Sequence, residues 1–148
     1  MSSQSQDFFT QAQKDQIVEA IRQAEKQTSG EIKVHIEQRC PQPDALERAK
    51  EVFALLNLDQ TALKNGVLVY LSIEDRKFAI LGDKGIHSVV PDNFWEYTKD
   101  TMRARFKQGD LTGGLCEGIR LAGEQLKNHF PYFQDDTNEL SDDISFGS

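Results

Sequence analysis

Two spacings of apolar residues divide this chain into helices and strands. Ile17, Ala20, Ile21 and Ala24 recur at helical intervals behind Thr10 and Gln13, which have capping-box spacing. A first amphipathic helix is therefore predicted over residues 11–27, stopped by Ser29-Gly30. From Glu31 to Glu37 the period becomes two, with Ile32, Val34 and Ile36 on one face and Glu31, Lys33, His35 and Glu37 on the other. A strand with one wetter face is expected at the edge of a sheet. Pro41 and Pro43 break the chain, Asp44 is placed to cap a second helix, and Leu46, Ala49, Val52, Phe53 and Leu56 form its buried stripe.

The run from Gly66 to Ile73 is almost continuously apolar, as a central strand covered on both faces should be. Glu74-Asp75-Arg76-Lys77 then makes a charged turn, and Phe78-Ala79-Ile80-Leu81 resumes the apolar pattern until Gly82, which predicts an antiparallel hairpin. The strand at Glu31–Glu37 reaches the hairpin through a helix, so those two strands should be parallel and the sheet mixed. Pro91-Asp92-Asn93 opens a predicted third helix, with Phe94, Trp95, Thr98, Met102 and Phe106 near one side, ending at Gly109. A fourth is predicted over residues 112–129, where Leu115, Ile119, Ala122 and Leu126 form the stripe and Gly114, Gly118 and Gly123 permit close backbone approach. The expected fold class is α/β: a three-layer α/β/α sandwich with a small mixed β-sheet flanked by about four helices. One domain over residues 10–131 follows a flexible N-terminus, residues 1–9, and precedes an acidic, Ser-rich tail, residues 132–148, expected to be loose.

Charge changes the picture in one respect. The 148 residues carry a formal charge of −7, but five acids after Pro131 (Asp135, Asp136, Glu139, Asp142 and Asp143) have no Lys or Arg among them and leave only −2 on the body. With no basic stripe, nucleic acid is not expected as a partner. The first residues show no basic region followed by an apolar core, and no run approaches a membrane span, so a soluble cytoplasmic protein is expected. Cys40 and Cys116 lack CxxC spacing and His35, His87 and His129 lack an i, i+4 pair, which argues against zinc and against a disulfide framework.

Strand directions then locate the polar groups. The starts of the first and second strands and the end of the third share one edge of the sheet, which gathers Glu31, Asn65 and Asp83; the opposite end collects Cys40, Asp44 and the turn Asp75-Arg76. Glu31, Asp83 and Asp110, with Asp92 and the Asn65 amide, are oxygen ligands of the kind that suits Ca²⁺ or Mg²⁺. Each also has a plainer role: Asn65-Gly66 suits a turn, Asp83 a surface loop, Asp92 a helix first turn, and Asp110 or Thr112 a helix cap. Asp75 and Arg76 suit a solvated ion pair, or Arg76 can grip a phosphate or carboxylate. The segment Gly109-Asp110-Leu111-Thr112-Gly113-Gly114 opens a helix and could cradle an anion with its N–H groups, although it is neither a P-loop nor GxGxxG. His35 reads as a surface or half-covered histidine, with no carboxylate–histidine–nucleophile arrangement legible around it.

Ser29-Gly30-Glu31-Ile32, Asn65-Gly66-Val67-Leu68-Val69, Asp75-Arg76-Lys77, Gly82-Asp83-Lys84-Gly85-Ile86 and Phe106-Lys107-Gln108-Gly109-Asp110 occur in that order. On these motifs the chain resembles the TPM-domain proteins over roughly residues 10–130, and it looks like their shorter cytoplasmic branch. The resemblance implies an α/β/α sandwich, a divalent-cation site with Ca²⁺ as one occupant, and phosphatase activity. Where many members have a loop resembling Gly-Tyr-Gly-Leu-Glu, this chain has Gly82-Asp83-Lys84-Gly85-Ile86, so the Glu is absent and Asp83 is new. The leading expectation is a Ca²⁺- or Mg²⁺-binding module with an accessory or interaction role. One alternative is a metal-dependent phosphomonoesterase, with the cation polarising a phosphoryl oxygen and activating water. The other is a metal-independent interaction domain whose acidic tail docks a basic protein partner.

Overall fold

The structure, a computed structural model, describes residues 8–132 and 143–147. In chain order the elements are α1 (Gln11–Glu25), β1 (Glu31–Glu37), α2 (Ala45–Leu55), a 3₁₀ turn (Leu58–Gln60), β2 (Gly66–Ser72), β3 (Lys77–Gly82), a one-turn α3 (Lys84–His87), α4 (Glu96–Lys107), α5 (Leu111–Leu126) and β4 (Ser145–Phe146). The capping box forms as its spacing predicts: the Gln13 N–H donates to Thr10 Oγ1 at 3.1 Å and the Thr10 N–H donates to Gln13 Oε1 at 2.9 Å. Asp44 caps α2 by accepting the Leu46 N–H at 3.0 Å. The third predicted helix begins later than Pro91, at Glu96. Pro91 to Trp95 instead makes tight turns, with the Phe94 and Glu96 N–H groups donating to the carbonyls of Pro91 and Asn93.

The sheet is four-stranded and mixed, in the order β3-β2-β1-β4. β1 and β2 are parallel, from Glu31 opposite Gly66 to Glu37 opposite Ser72, and β2 and β3 are antiparallel, from Val67 opposite Gly82 to Ser72 opposite Lys77. One layer holds α1, α4 and α5. Ile17, Ile21 and Ala24 of α1, Met102 of α4, and Leu115, Ile119, Ala122 and Leu126 of α5 bury against Ile32, Val34, Ile36, Val67, Val69, Leu71 and Ile80 of the sheet. The other layer is α2 with the 3₁₀ turn, whose Ala49, Val52, Phe53 and Leu58 cover Leu68, Tyr70 and Ala79. β2 is thus buried along its whole length. Glycines set the helix spacing in the first layer: a Cβ at Gly123 would stand 2.9 Å from the Cβ of Ala24, and one at Gly118 would stand 2.5 Å from Met102 Sδ.

Two expectations are corrected. β1 is not an edge strand, because β4 pairs with it in parallel, His35 opposite Ser145 and Ile36 opposite Phe146. The described end of the acidic tail, residues 143–147, is for the same reason part of the fold: Ile144 and Phe146 pack on the main core, apolar residues that outweigh the local acidic composition. Residues 1–7, 133–142 and 148 lie outside the described residues, and with them most of the two expected terminal segments.

Candidate functional site

The strand directions do bring Glu31, Asn65 and Asp83 to one edge of the sheet. Glu31 pairs with Gly66, and Gly66 in turn accepts the Asp83 N–H at 2.9 Å, so the two acids stand in one row with Gly66 between them. Leu58 packs over that glycine so closely that a Cβ there would lie 2.8 Å from the Leu58 carbonyl oxygen. Leu58 is itself fully buried there. Asn65, itself buried, donates Nδ2 to Ser29 Oγ at 3.3 Å. Asp83 caps α3, accepting the Lys84 N–H on Oδ1 at 2.7 Å, while its buried Oδ2 has no hydrogen-bond partner among the described residues.

The other two expected ligands lie elsewhere. Asp92 is exposed in the turns before α4. Asp110 sits at the junction of α4 and α5, where Oδ1 accepts the Gly113 N–H at 2.8 Å and Oδ2 pairs with Arg105 Nη1 at 3.3 Å. Oδ1 thus serves as the helix cap, the plainer role that its spacing also allowed, and Oδ2 is taken up by the ion pair. Among the described residues no three His, Cys, Asp or Glu side chains are grouped so as to hold a metal ion.

At the opposite end of the sheet the elements converge. Asp75 Oδ2 accepts the Cys40 N–H at 2.6 Å, which ties the turn of the β2–β3 hairpin to the loop after β1, and Glu74 Oε2 accepts from Arg39 Nε at 2.6 Å. Arg76 adopts the left-handed conformation, φ 54°. Beside this turn lies a cleft of about 520 Å³. Leu71 and Ile73 of the hairpin, Phe106 and Leu111 of α4 and α5, and Phe8 make its apolar wall, and Glu74, Arg76 and Lys107 are its charged groups. Gly109, φ 83°, turns the chain from α4 into α5 at the rim. Arg76 and the segment opening at Gly109, each compatible with an anion in the sequence, thus border one space.

Sequence reasoning missed a buried polar network on the α2 face of the sheet. His35 is 7 % exposed and Glu37 2 %. His35 Nδ1 lies 2.8 Å from Ser145 Oγ and its Nε2 lies 3.1 Å from Glu37 Oε1. Tyr70 Oη donates to Glu37 Oε2 at 2.6 Å, and Arg48 Nε lies 3.2 Å from each Glu37 oxygen while its Nη1 reaches Glu51 at 3.2 Å. Burial alone would raise the Glu37 carboxyl, but the hydrogen bonds from His35, Arg48 and Tyr70 outweigh it and hold the group at about 2. Hydrogen bonding to Glu37 raises Arg48 above its ordinary value, and burial raises the Tyr70 phenol, helped by its bond to the same carboxylate. Ser145, His35 and Glu37 have the order of a nucleophile–base–acid relay. Arg48 and Tyr70 hold the Glu37 carboxylate from its other side, which ties this row to α2 and β2. The available signal was His35 and Glu37, two residues apart on a face that a helix must cover; Ser145 had no local signal.

A family model described as the TPM domain matches residues 2–125. The chain belongs to the TPM-domain family. Among solved structures it is similar to the NMR structure of the BA42 protein from the psychrophilic bacterium Bizionia argentinensis, with 48 % identity over 93 % of this chain and 94 % of that one and a TM-score of 0.87. It is also similar in fold to the N-terminal domain of a protein from P. gingivalis, with 17 % identity, 85 % and 82 % coverage and a TM-score of 0.69. A third likeness, again of fold, is to the N-terminal domain of the cg2496 protein from Corynebacterium glutamicum, with 14 % identity, 80 % and 74 % coverage and a TM-score of 0.64. No curated protein matches. The α/β sandwich read from the TPM motifs is the one observed, and among the described residues no helix is long and apolar enough to cross a membrane.

Proposed function

We propose that this TPM domain is a binding module with an accessory or interaction role, and that its site is the cleft beside the β2–β3 hairpin turn. The ligand is a phosphate- or carboxylate-bearing molecule with an apolar portion. One observation carries this reading: Arg76 and Lys107, cations from two separate elements, border one cleft whose wall is Leu71, Ile73, Phe106 and Leu111. Arginine suits the planar fork of an oxyanion, and the apolar wall suits the rest of the ligand. A divalent cation enters this site together with the ligand. Mg²⁺ in particular uses one or two carboxylates plus phosphate oxygens rather than a full protein cage, and Glu74 is the carboxylate of the cleft.

Phenyl phosphate, titrated with and without Mg²⁺ or Ca²⁺ and followed amide by amide in NMR spectra, tests the assignment. Shifts are expected at residues 72–76 and 106–111, strengthened by the cation. Shifts confined to Glu31, Asn65 and Asp83 would place the site at the opposite end of the sheet. The phosphomonoesterase reading requires a nucleophile or general base at the cation. Ser72 and Glu74 line the cleft, but Ser72 has no histidine beside it in that lining and Glu74 is assigned to the cation, so turnover of phenyl phosphate in the same samples is expected to be negligible.

A further inference from the structure

The short strand β4 is seated as a peptide ligand would be. Its residues alternate between two receptors built into β1 and α1. Ile144 and Phe146 turn to the main core, with Lys14 Nζ of α1 lying 5.7 Å from the centre of the Phe146 ring. Ser145 turns to the other face and meets His35 Nδ1 at 2.8 Å. Gly147 donates its N–H to the Ile36 carbonyl at 2.7 Å and lies so close to the polar network that a Cβ there would stand 2.8 Å from both Glu37 Oε1 and His35 Nε2. Each of the four positions is thus constrained by a different partner: two by apolar contact, one by a hydrogen bond, and one by lack of space for a side chain.

The same segment is weakly held. Among the described residues β4 pairs through two residues, where strands usually run from about three to ten. Ile144, Ser145, Phe146 and Gly147 are all only partly buried, which places β4 at the low-stability end of the fold. Between Ile144 and Phe146 and the outer face of α1, at Lys14 and Val18, a groove of about 620 Å³ leaves room for larger side chains than these. Main-chain pairing to a sheet edge supplies affinity and alternate side-chain pockets supply specificity, the mode of strand-addition recognition.

We propose that the outer edge of β1 is an acceptor site for an extended segment of a partner protein with the pattern apolar–Ser–aromatic–Gly, and that residues 144–147 occupy it in cis as an exchangeable plug. His35 is the specificity group for the serine, and Glu37, held by Arg48 and Tyr70, fixes His35 and excludes a side chain at the last position.

The test releases the plug in the full-length chain and offers it back. Phe146→Asp removes the apolar anchor, and Gly147→Val introduces a clash at the tail while leaving every core residue in place. The probe is the peptide Asp-Ile-Ser-Phe-Gly-Ser, residues 143–148. Both variants should bind it saturably, with the amide signals of His35, Ile36 and Glu37 returning toward their positions in the unsubstituted protein. A scrambled peptide should leave those signals unmoved. The unsubstituted chain should bind the peptide at least tenfold more weakly, because its own tethered segment competes at millimolar effective concentration. Absence of saturable binding, equal binding of the scrambled peptide, or equal binding by the unsubstituted chain would overturn the proposal. Unfolding of both variants would overturn it as well, since the segment would then be integral to the fold. Concentration-dependent self-association of the unsubstituted chain, abolished by Gly147→Val, would make the occupant a second copy and refute the partner assignment.

Discussion

Replacing Arg48 with Met should destabilise the domain by about 2–3 kcal/mol, and the magnitude follows from the Glu37 network. The side chain of Glu37 is 3 % exposed and that of Arg48 20 %, so the pair is well shielded but not sealed. Glu37 is held at about 2 against an ordinary 4.5, a difference equivalent to about 3 kcal/mol of interaction in favour of the ionised form. Met fills similar volume but donates nothing, leaving the carboxylate with His35 and Tyr70 and the full cost of burial. Orphaning a buried charge costs about 3–5 kcal/mol, and the residual exposure of Arg48 moves the expectation to or just below the lower end. For a chain of this size each kcal/mol lowers Tm by about 2–4 °C, so a fall of roughly 5–10 °C is expected by circular dichroism at pH 7. Glu37→Gln in the Arg48→Met background should recover at least half of the loss, because a neutral amide still accepts from Tyr70 and carries no charge to strand. A fall of less than 2 °C, or no recovery in the double variant, would refute the reading of Glu37 as a buried charge anchored by Arg48.

Two further outcomes follow from the same structure. Because the folded Glu37 carboxyl at about 2 lies below its unfolded value of 4.5, its stabilising effect is complete above roughly pH 4.5 and is lost as pH falls toward 2; urea midpoints should decline over that window, and Glu37→Gln should flatten the decline. Asp110→Ala should cost about 1 kcal/mol through loss of the α5 cap and leave the affinity for Ca²⁺ or Mg²⁺ unchanged, whereas a tenfold drop in cation affinity would restore Asp110 as a ligand.

Much of the architecture could be read from local pattern, because the apolar periods of α1, α2, β2, β3 and α5 largely match the face they bury, although Leu46 of the expected α2 stripe is exposed and the expected wetter face of β1, with Glu31, His35 and Glu37, is buried as well. Parallel pairing of β1 with β2 followed from the intervening helix, and it correctly gathered Glu31, Asn65 and Asp83 at one edge and Cys40 with Asp75 at the other. What it did not reveal was the packing over Gly66. Leu58 lies over Gly66 because a one-turn 3₁₀ segment, too short to leave a periodic signal, folds back across the sheet. Asp110 was grouped with Asp83 on chemistry alone, although the α4–α5 junction returns to the hairpin end. β4 escaped notice because Ile144 and Phe146 sit in an acidic, polar context, and two apolar residues spaced two apart cannot be told from chance without the partner strand. His35 reads as a surface or half-covered histidine for the same reason: Ser145 lies 110 positions away in the chain.

The central claim is that Arg76 and Lys107 form an anion site in the hairpin cleft. Calorimetric titration of phenyl phosphate, in the presence of Mg²⁺, into the unsubstituted chain and into Arg76→Ala/Lys107→Ala tests it most directly. The account predicts saturable binding by the parent and an affinity at least tenfold weaker in the double variant, about 1.4 kcal/mol or more, with thermal stability little changed because both side chains border solvent at the cleft. Equal affinity in the two proteins would contradict it.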